Sequence, residues 1–285
     1  MNRMLLNVPA PAKLNLFLHV LGRRPDGYHQ LQSIMVPIAL TDRLDFEARP
    51  DGRIERSGDV IGNVNDDLAV RAAALLQAAS GTAQGVSIHV DKRIPAGSGL
   101  GGGSSDAATA LIALNRLWNL GLSRVDLLPL AERLGADVPF FLGAGPAFVE
   151  GIGERLTPID WPACWYAVVY PGVHVATAEI FKDPGLTRST EPTIIAALSM
   201  ARGRFPRELP GANDLQAVAQ RRAPEIGAAL ERLSRFGPAR MTGSGSAVFA
   251  PLATESAAQE AIADLPPGWQ GWAVQGLTEL PLAPW

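Results

Sequence analysis

The sequence predicts a protein of mixed strands and helices, divided in two near Thr157-Pro158, with a phosphate-binding loop in its first half. Three observations carry this. Val86, Ile88 and Val90 alternate with Ser87, His89 and Asp91, the period of a strand. Leu111, Leu114, Leu117 and Trp118 recur three and four residues apart over Ala107–Trp118, the period of one helical face. Between strand and helix lies Pro95-Ala96-Gly97-Ser98-Gly99-Leu100-Gly101-Gly102-Gly103-Ser104-Ser105-Asp106, rich in glycine.

Composition narrows the class. The chain has 285 residues, enough for one large domain or two ordinary ones, and 47% apolar against 19% charged residues leaves material for a substantial core. A net charge of -3 and the absence of a basic run remove the electrostatic footprint of a nucleic-acid binder. The single cysteine, Cys164, excludes an internal disulfide and a cysteine zinc site, and the scattered histidines argue against a histidine metal cluster. Met1–Leu6 is too short and polar for a signal peptide, and no apolar run is long enough to span a bilayer. A soluble cytoplasmic protein is expected.

In chain order, residues 12–20 read as a strand, with Leu14, Leu16, Leu18 and Val20 on one face and Lys13, Asn15, Phe17 and His19 on the other. That second face is either ordinary solvent surface or a site. Pro25-Asp26-Gly27 is a turn that delivers Tyr28 and His29. Ser33–Ile38 and Arg43–Ala48 read as two strands with a turn at Leu40-Thr41-Asp42, and Asp67–Ala79 as a helix. After the glycine loop and its helix, Asp126–Leu134 is a helix ending at Gly135. Asp137 follows, before Pro139, where a carboxylate is either a buried structural cap or a catalytic base. Ala147–Val149 and Trp165–Tyr170 read as strands and Ala176–Phe181 as a short helix. Leu186–Pro192 lacks periodicity and reads as mobile. Helices are expected at Thr193–Arg202, Asp214–Arg221, Pro224–Arg235 and Ala253–Ala263. A strand pair flanks Thr242–Ser246, and a last strand spans Trp272–Leu277.

The glycine loop is an anion site by its chemistry. A helix start offers unpaired N–H groups and the positive end of the macrodipole, and glycines bring backbone close to a ligand. Ser104, Ser105 and Asp106 are suited to the cap and first turn. No lysine lies between Gly97 and Ser105, which excludes a Walker A loop. Gly97, Gly99 and Gly102 match a dinucleotide fingerprint literally, but no second strand and acid follow. No protein-kinase motif follows either.

These stretches resemble a known family. Pro11-Ala12-Lys13-Leu14-Asn15-Leu16 and Arg24-Pro25-Asp26-Gly27-Tyr28-His29 resemble the N-terminal signature of the 4-diphosphocytidyl-2-C-methyl-D-erythritol kinases. Ile94 through Ala108 resembles the phosphate loop of the GHMP kinase superfamily, and Met241-Thr242-Gly243-Ser244-Gly245-Ser246 its third motif. Leu134–Pro139 and Ile180–Pro184 are similar too. The resemblance implies a two-domain α+β GHMP kinase fold, 1–158 and 159–285, with the active site in the inter-domain cleft. It implies transfer of the ATP γ-phosphate to the tertiary 2-hydroxyl of the cytidylyl alcohol, a step toward isoprenoid precursors. Asp137 would be the general base and Lys13 its electrostatic partner. Lys92, Pro95, Ala96, Gly97, Ser98, Gly99, Leu100, Gly101, Gly102, Gly103, Ser104 and Ser105 would hold ATP. Mg²⁺ would accompany ATP through phosphate oxygens and water, with no metal ligand assigned on the chain. Tyr28 and Phe181 would sandwich the cytosine while His29 reads its edge, and Asn15 and Thr177 would contact the substrate. The small-molecule substrate would be the sole partner of a monomer or weak homodimer. The chain departs from the family pattern at Asp67, where Asn is usual before the helix, and at Ala96 and Ser98. A GHMP-type kinase for another alcohol, of the homoserine or mevalonate class, is the alternative. Tyr28, His29 and Phe181 argue against it, because those substrates carry no base. A non-catalytic nucleotide-binding module is disfavoured by Lys13 and Asp137.

Overall fold

The computed structural model describes residues 3–59, 62–194 and 208–285. A long hairpin, β1 (Met4–Arg23) and β2 (His29–Arg49), organises the first sheet. β1 runs along the whole of β2. The other edge of β2 is shared: β4 (Gly85–Asp91) pairs with Arg43–Arg49, and β5 (Ala147–Gly151) with Leu31–Met35. β3 (Ile54–Gly58) lies parallel to β4, and β6 (Arg155–Pro158) antiparallel to β5. The second sheet holds β7 (Trp165–Tyr170), β8 (Arg240–Met241), β9 (Val248–Leu252) and β10 (Gln270–Gln275) in the antiparallel order β10-β7-β9-β8.

Three cores hold these layers. α1 (Leu68–Ser80), α2 (Gly102–Leu117), α3 (Arg124–Leu134) and the single turn α4 (Val138–Phe141) cover the first sheet. α1 buries Ala69, Ala72 and Ala73, and α2 Ala107, Ala108, Ala110 and Ala113, whose small side chains allow the helix axes to come close. Leu111, Leu114, Leu117 and Trp118 share that core with Phe46 and Ile88, as their spacing predicts. α6 (Gln216–Arg222), α7 (Pro224–Ser234) and α8 (Glu255–Ala261) cover the second sheet, following α5 (Thr177–Lys182). Between the sheets, Leu14, Leu16, Ile34, Val36 and Ile38 share a core with Tyr166, Val168 and Phe249. Each fully buried leucine there contributes about 2 kcal/mol by removal from water.

Several elements differ from the sequence expectation. β1 and β2 are each one long strand, because β-bulges absorb the breaks in alternation. At one of them Ala39 and Leu40 are extra residues opposite Pro11–Ala12, so the strand carries on through a bulge where a turn was expected. Both faces of β1 are buried: Lys13, Asn15, Phe17 and His19 are as sheltered as the leucines. α2 starts at Gly102, ahead of the serines, because Gly101 takes φ 77° and serves as the cap. β3 and β6 were not foreseen; both are short and largely exposed, so neither has a hydrophobic alternation to read. Leu186–Pro192 has no regular element, but it is tied down. The Thr190 N–H donates to Val20 O at 3.2 Å, and its hydroxyl to Asp214 Oδ2 at 2.7 Å. The helix expected at Thr193–Arg202 lies mostly outside the described residues.

Candidate active site

A cavity of about 570 Å³ opens beside the N-terminus of α2. Lys13, from β1, reaches its wall with its side chain 2% exposed. Its ammonium stands 3.3 Å from Asp137 Oδ2 and also donates to Asn15 Oδ1. The Asn15 Nδ2 group donates to Ser33 Oγ at 2.7 Å, and the Asn15 N–H to Thr242 Oγ1 at 2.8 Å. Asp137 precedes α4 but makes no capping hydrogen bond, and its side chain is 32% exposed. The structural-cap reading of Asp137 is thereby removed: its carboxylate faces a buried ammonium and the cavity.

The glycine loop is held against the third motif backbone to backbone. The Ala247 N–H donates to Ser98 O at 2.9 Å. A Cβ on Gly99 would fall 2.3 Å from Thr242 O, and one on Gly243 would fall 2.9 Å from Gly99 O. The first bond of α2 runs from Ser105 N–H to Gly101 O at 2.9 Å. The N–H groups before it, on Gly102, Gly103 and Ser104, have no carbonyl one turn back, which leaves three donors at the positive end of the helix. Those three residues, with Pro95, Ala96, Gly97, Ser98, Gly99 and Gly101, line the cavity. Leu100 and Ser105 do not. The Leu100 side chain is core, and Ser105 is fully buried behind the turn. Leu100 contributes its carbonyl instead, which accepts from the Lys13 N–H at 2.9 Å.

Lys92 also lines the cavity, but it is already paired. Its ammonium bonds Asp42 Oδ2 at 2.5 Å and Asp106 Oδ2 at 2.7 Å. Burial opposes its charge, yet the Asp106 and Asp42 carboxylates outweigh burial and hold its pKa above the ordinary value. One ammonium cannot neutralise two carboxylates, so burial pushes Asp106 up to about 7 against the pull of Lys92. Asp42, fully buried, also accepts from the Arg93 and Ile94 N–H groups at 2.6 and 2.8 Å and so fixes the entry to the loop. Asp67, the departure from the family pattern, caps α1 through Oδ1 and takes Arg56 Nε at 2.9 Å on Oδ2. Both its oxygens are engaged within the chain.

At the far end, Phe181 and Thr177 line the cavity, and the Thr177 and Ser244 hydroxyls pair at 2.7 Å. His29 stacks on Phe181 with ring centroids 4.7 Å apart. Arg188 Nε donates to His29 Nε2 at 3.3 Å, so the neutral ring carries its proton on Nδ1. Burial, then the Arg188 and Arg23 charges, lower the His29 pKa and keep the ring neutral. Tyr28 is 62% exposed, and neither it nor His29 is part of the cavity wall. Phe181 thus stacks on His29 while also lining the cavity, where the resemblance implies a base. Sequence reasoning missed Ser33, Asp42 and Arg188. Each is a single polar residue whose partner lies far along the chain, and no spacing announces it.

Residues 67–145 match the family model for the GHMP kinases N terminal domain, and residues 196–268 the model for GHMP kinases C terminal. The 4-diphosphocytidyl-2-C-methyl-D-erythritol kinase of Ralstonia nicotianae is 54% identical over 281 residues, covering 98% of this chain and 96% of the relative. The chain belongs to this kinase family. A second member, from Thiobacillus denitrificans, is 54% identical over 275 residues, covering 96% of each chain. The crystal structure of a 4-(cytidine 5'-diphospho)-2C-methyl-D-erythritol kinase superposes with a TM-score of 0.80 at 36% identity, over 96% of this chain and 98% of the other. A homoserine kinase from Cytophaga hutchinsonii superposes with a TM-score of 0.72 at 15% identity, over 98% and 96%, a likeness of fold alone. The fold is therefore the α+β GHMP kinase fold that the sequence predicts. Among the described residues no helix is long and apolar enough to cross a membrane.

Proposed function

We propose that the chain transfers the γ-phosphoryl group of ATP to the 2-hydroxyl of 4-diphosphocytidyl-2-C-methyl-D-erythritol, within the non-mevalonate route to isoprenoid precursors. The observation that carries this reading is the Lys13–Asp137 pair, 3.3 Å apart beside the open N-terminus of α2. Asp137 takes the proton of the attacking hydroxyl, and the O–H bond gives way to a new O–P bond. The β–γ bridging bond breaks and its electrons leave with ADP. Lys13 pairs with the carboxylate before transfer and offsets the developing negative charge during it. The free N–H groups of α2 hold the donor phosphates in line, so positioning accounts for much of the rate. Among the described residues no cluster of three or more His, Cys, Asp or Glu side chains forms a metal cage. Mg²⁺ would enter with ATP on its phosphate oxygens and water, and supply charge neutralisation there.

Phe181 on the wall, with His29 stacked on it, forms a planar seat for the cytosine. Tyr28 is available to cover the other face of the base. Residues 1–158 and 159–285 serve as the two domains, and one chain supplies every residue of the site, so a monomer suffices. Both substrates are multiply charged and water-soluble, which suits a cytoplasmic enzyme. The test is ATP consumption against a panel of cytidylyl and non-cytidylyl alcohols. Turnover confined to the cytidylyl alcohol is expected; turnover of homoserine or mevalonate alone would overturn the reading. Asp137→Asn should lower kcat on the order of 10²- to 10⁴-fold with ATP affinity retained. An active Asp137→Asn enzyme would remove the base assignment.

A further inference from the structure

Ser33 stands on β2 with 3% of its surface exposed, and it lines the cavity behind Asn15. A serine hydroxyl has one proton to give and lone pairs to receive with. Ser33 Oγ gives its proton to Phe17 O at 2.6 Å, with Ile34 O more distant at 3.3 Å. Toward Asn15 it can therefore only accept, and it does so from Nδ2 at 2.7 Å. This decides the amide. With the NH₂ group turned to Ser33, Oδ1 must face Lys13, where it accepts from the ammonium. The opposite orientation would set two donors against each other and leave Oδ1 facing a hydroxyl whose proton is already committed.

The Phe17 carbonyl is available because β1 carries a bulge between Asn15 and Phe17. Its neighbour, Leu16 O, accepts from Arg240 Nη1 at 2.5 Å. The bulge thus turns a backbone carbonyl into the fixed end of a chain of hydrogen bonds, Phe17 O, Ser33 Oγ, Asn15 amide and Lys13 Nζ, which ends in the ion pair with Asp137. Lys13 has three N–H donors, of which Asn15 and Asp137 take two, and a flexible four-carbon stem behind them. Where the third points depends on how firmly those two are held.

We propose that the Ser33 hydroxyl is a positioning group for phosphoryl transfer, which fixes the Asn15 amide and through it aims the Lys13 ammonium. The proposal rests on the phosphotransfer reading above. The Ser33 hydroxyl is committed to Phe17 O and to the Asn15 amide, so its loss acts through Lys13 on the rate of the chemical step and spares ATP binding.

The test compares Ser33→Thr with Ser33→Val in the full chain. The two differ by a hydroxyl against a methyl of the same shape, so packing effects are shared. Ser33→Thr should stay near wild-type rate. Ser33→Val should lose kcat on the order of 10- to 100-fold, as removal of outer hydrogen-bond partners does around metal ligands, with KM for ATP within about twofold. In an Asn15→Ala background, Ser33→Val should cost nothing further, since the relay is already cut. Equal losses in Thr and Val, a loss confined to KM, or additive losses in the double variant would each overturn the proposal. If Ser33→Val does not fold, Ser33→Ala takes its place. Amide exchange of the Asn15 side chain, followed by NMR, reads the relay without turnover. Slow exchange in wild type and Ser33→Thr, with fast exchange in Ser33→Val, is expected. Fast exchange in wild type would overturn the relay itself. A wild-type chain that phosphorylates no alcohol would instead overturn the phosphotransfer reading, and with it the catalytic part of the proposal.

Discussion

Asp106 lies on the cavity wall with 6% of its surface exposed, and its Oδ1 has no hydrogen-bond partner. Its other oxygen shares the Lys92 ammonium with Asp42. Burial first, with the Asp42 charge added and Lys92 opposing, brings its pKa to about 7. An unfolded aspartate titrates at about 3.9, so between roughly pH 4 and 7 the folded chain binds the extra proton. Stability from this group is therefore present at low pH and lost as pH rises through 7. His19 and His29 act in the opposite sense. Burial, foremost, lowers both their pKa values, so their contribution is present above about pH 6.5 and lost as pH falls. Asp106→Asn separates the two effects, since the histidines are common to both proteins. Urea denaturation should show the variant gaining on wild type by roughly 1–3 kcal/mol between pH 5 and pH 8. A difference independent of pH would mean that Asp106 is charged at both.

At the level of elements, the glycine loop and the third motif are one unit, although a long stretch of sequence separates them. Gly99 has φ 82°, and its Cβ would fall 2.3 Å from Thr242 O, a backbone atom that cannot swing aside. Gly103 lies inside α2, and its Cβ would meet only Leu68 Cδ1 at 3.5 Å. Gly99→Ala should destabilise by about 1–3 kcal/mol through backbone strain. Gly103→Ala should be neutral or gain up to about 1 kcal/mol from helix propensity. Thermal melting of the two variants checks this, and equal melting points would show that the two loops do not abut. The same contrast shows what the sequence made legible. Local periods revealed α1, α3 and β4 because each buries one face against one core, and α2 through the spacing of its leucines, although residues 105–114 are buried all round. β1 and β2 were under-read because bulges reset their alternation at Pro11–Ala12 and Asn15–Phe17. The phosphate loop could be read from glycine alone, since its function is carried by backbone. The Lys13–Asp137 pairing is a product of how β1 and α4 meet in space, and only the family resemblance pointed to it.

On the scale of the whole molecule, the two sheets are joined by more than their shared core. Residues 277–285 return to the first sheet: the Leu277 N–H donates to Pro37 O at 2.8 Å, and Leu280 and Leu282 enter the core around α2. Across the sheets, Arg240 on β8 donates to Leu16 O and Pro210 O at 2.5 Å and to Gly211 O at 2.6 Å. These are carbonyls, with no carboxylate among them, and burial lowers the Arg240 pKa to about 10. The guanidinium is held as a fork that satisfies three backbone acceptors at once, a geometry lysine cannot copy. Arg240→Met should therefore leave these acceptors short of donors and cost about 3 kcal/mol, at the level of hydrogen bonds to a charged group. Arg240→Lys should recover only part of it. Because Leu16 belongs to the bulge that carries Phe17 O, Arg240→Met should also lower kcat in the protein that remains folded. The urea midpoint and kcat are the two measurements. A lowered midpoint with unchanged kcat would confine Arg240 to joining the sheets, while an unchanged midpoint would mean that water replaces the guanidinium without cost.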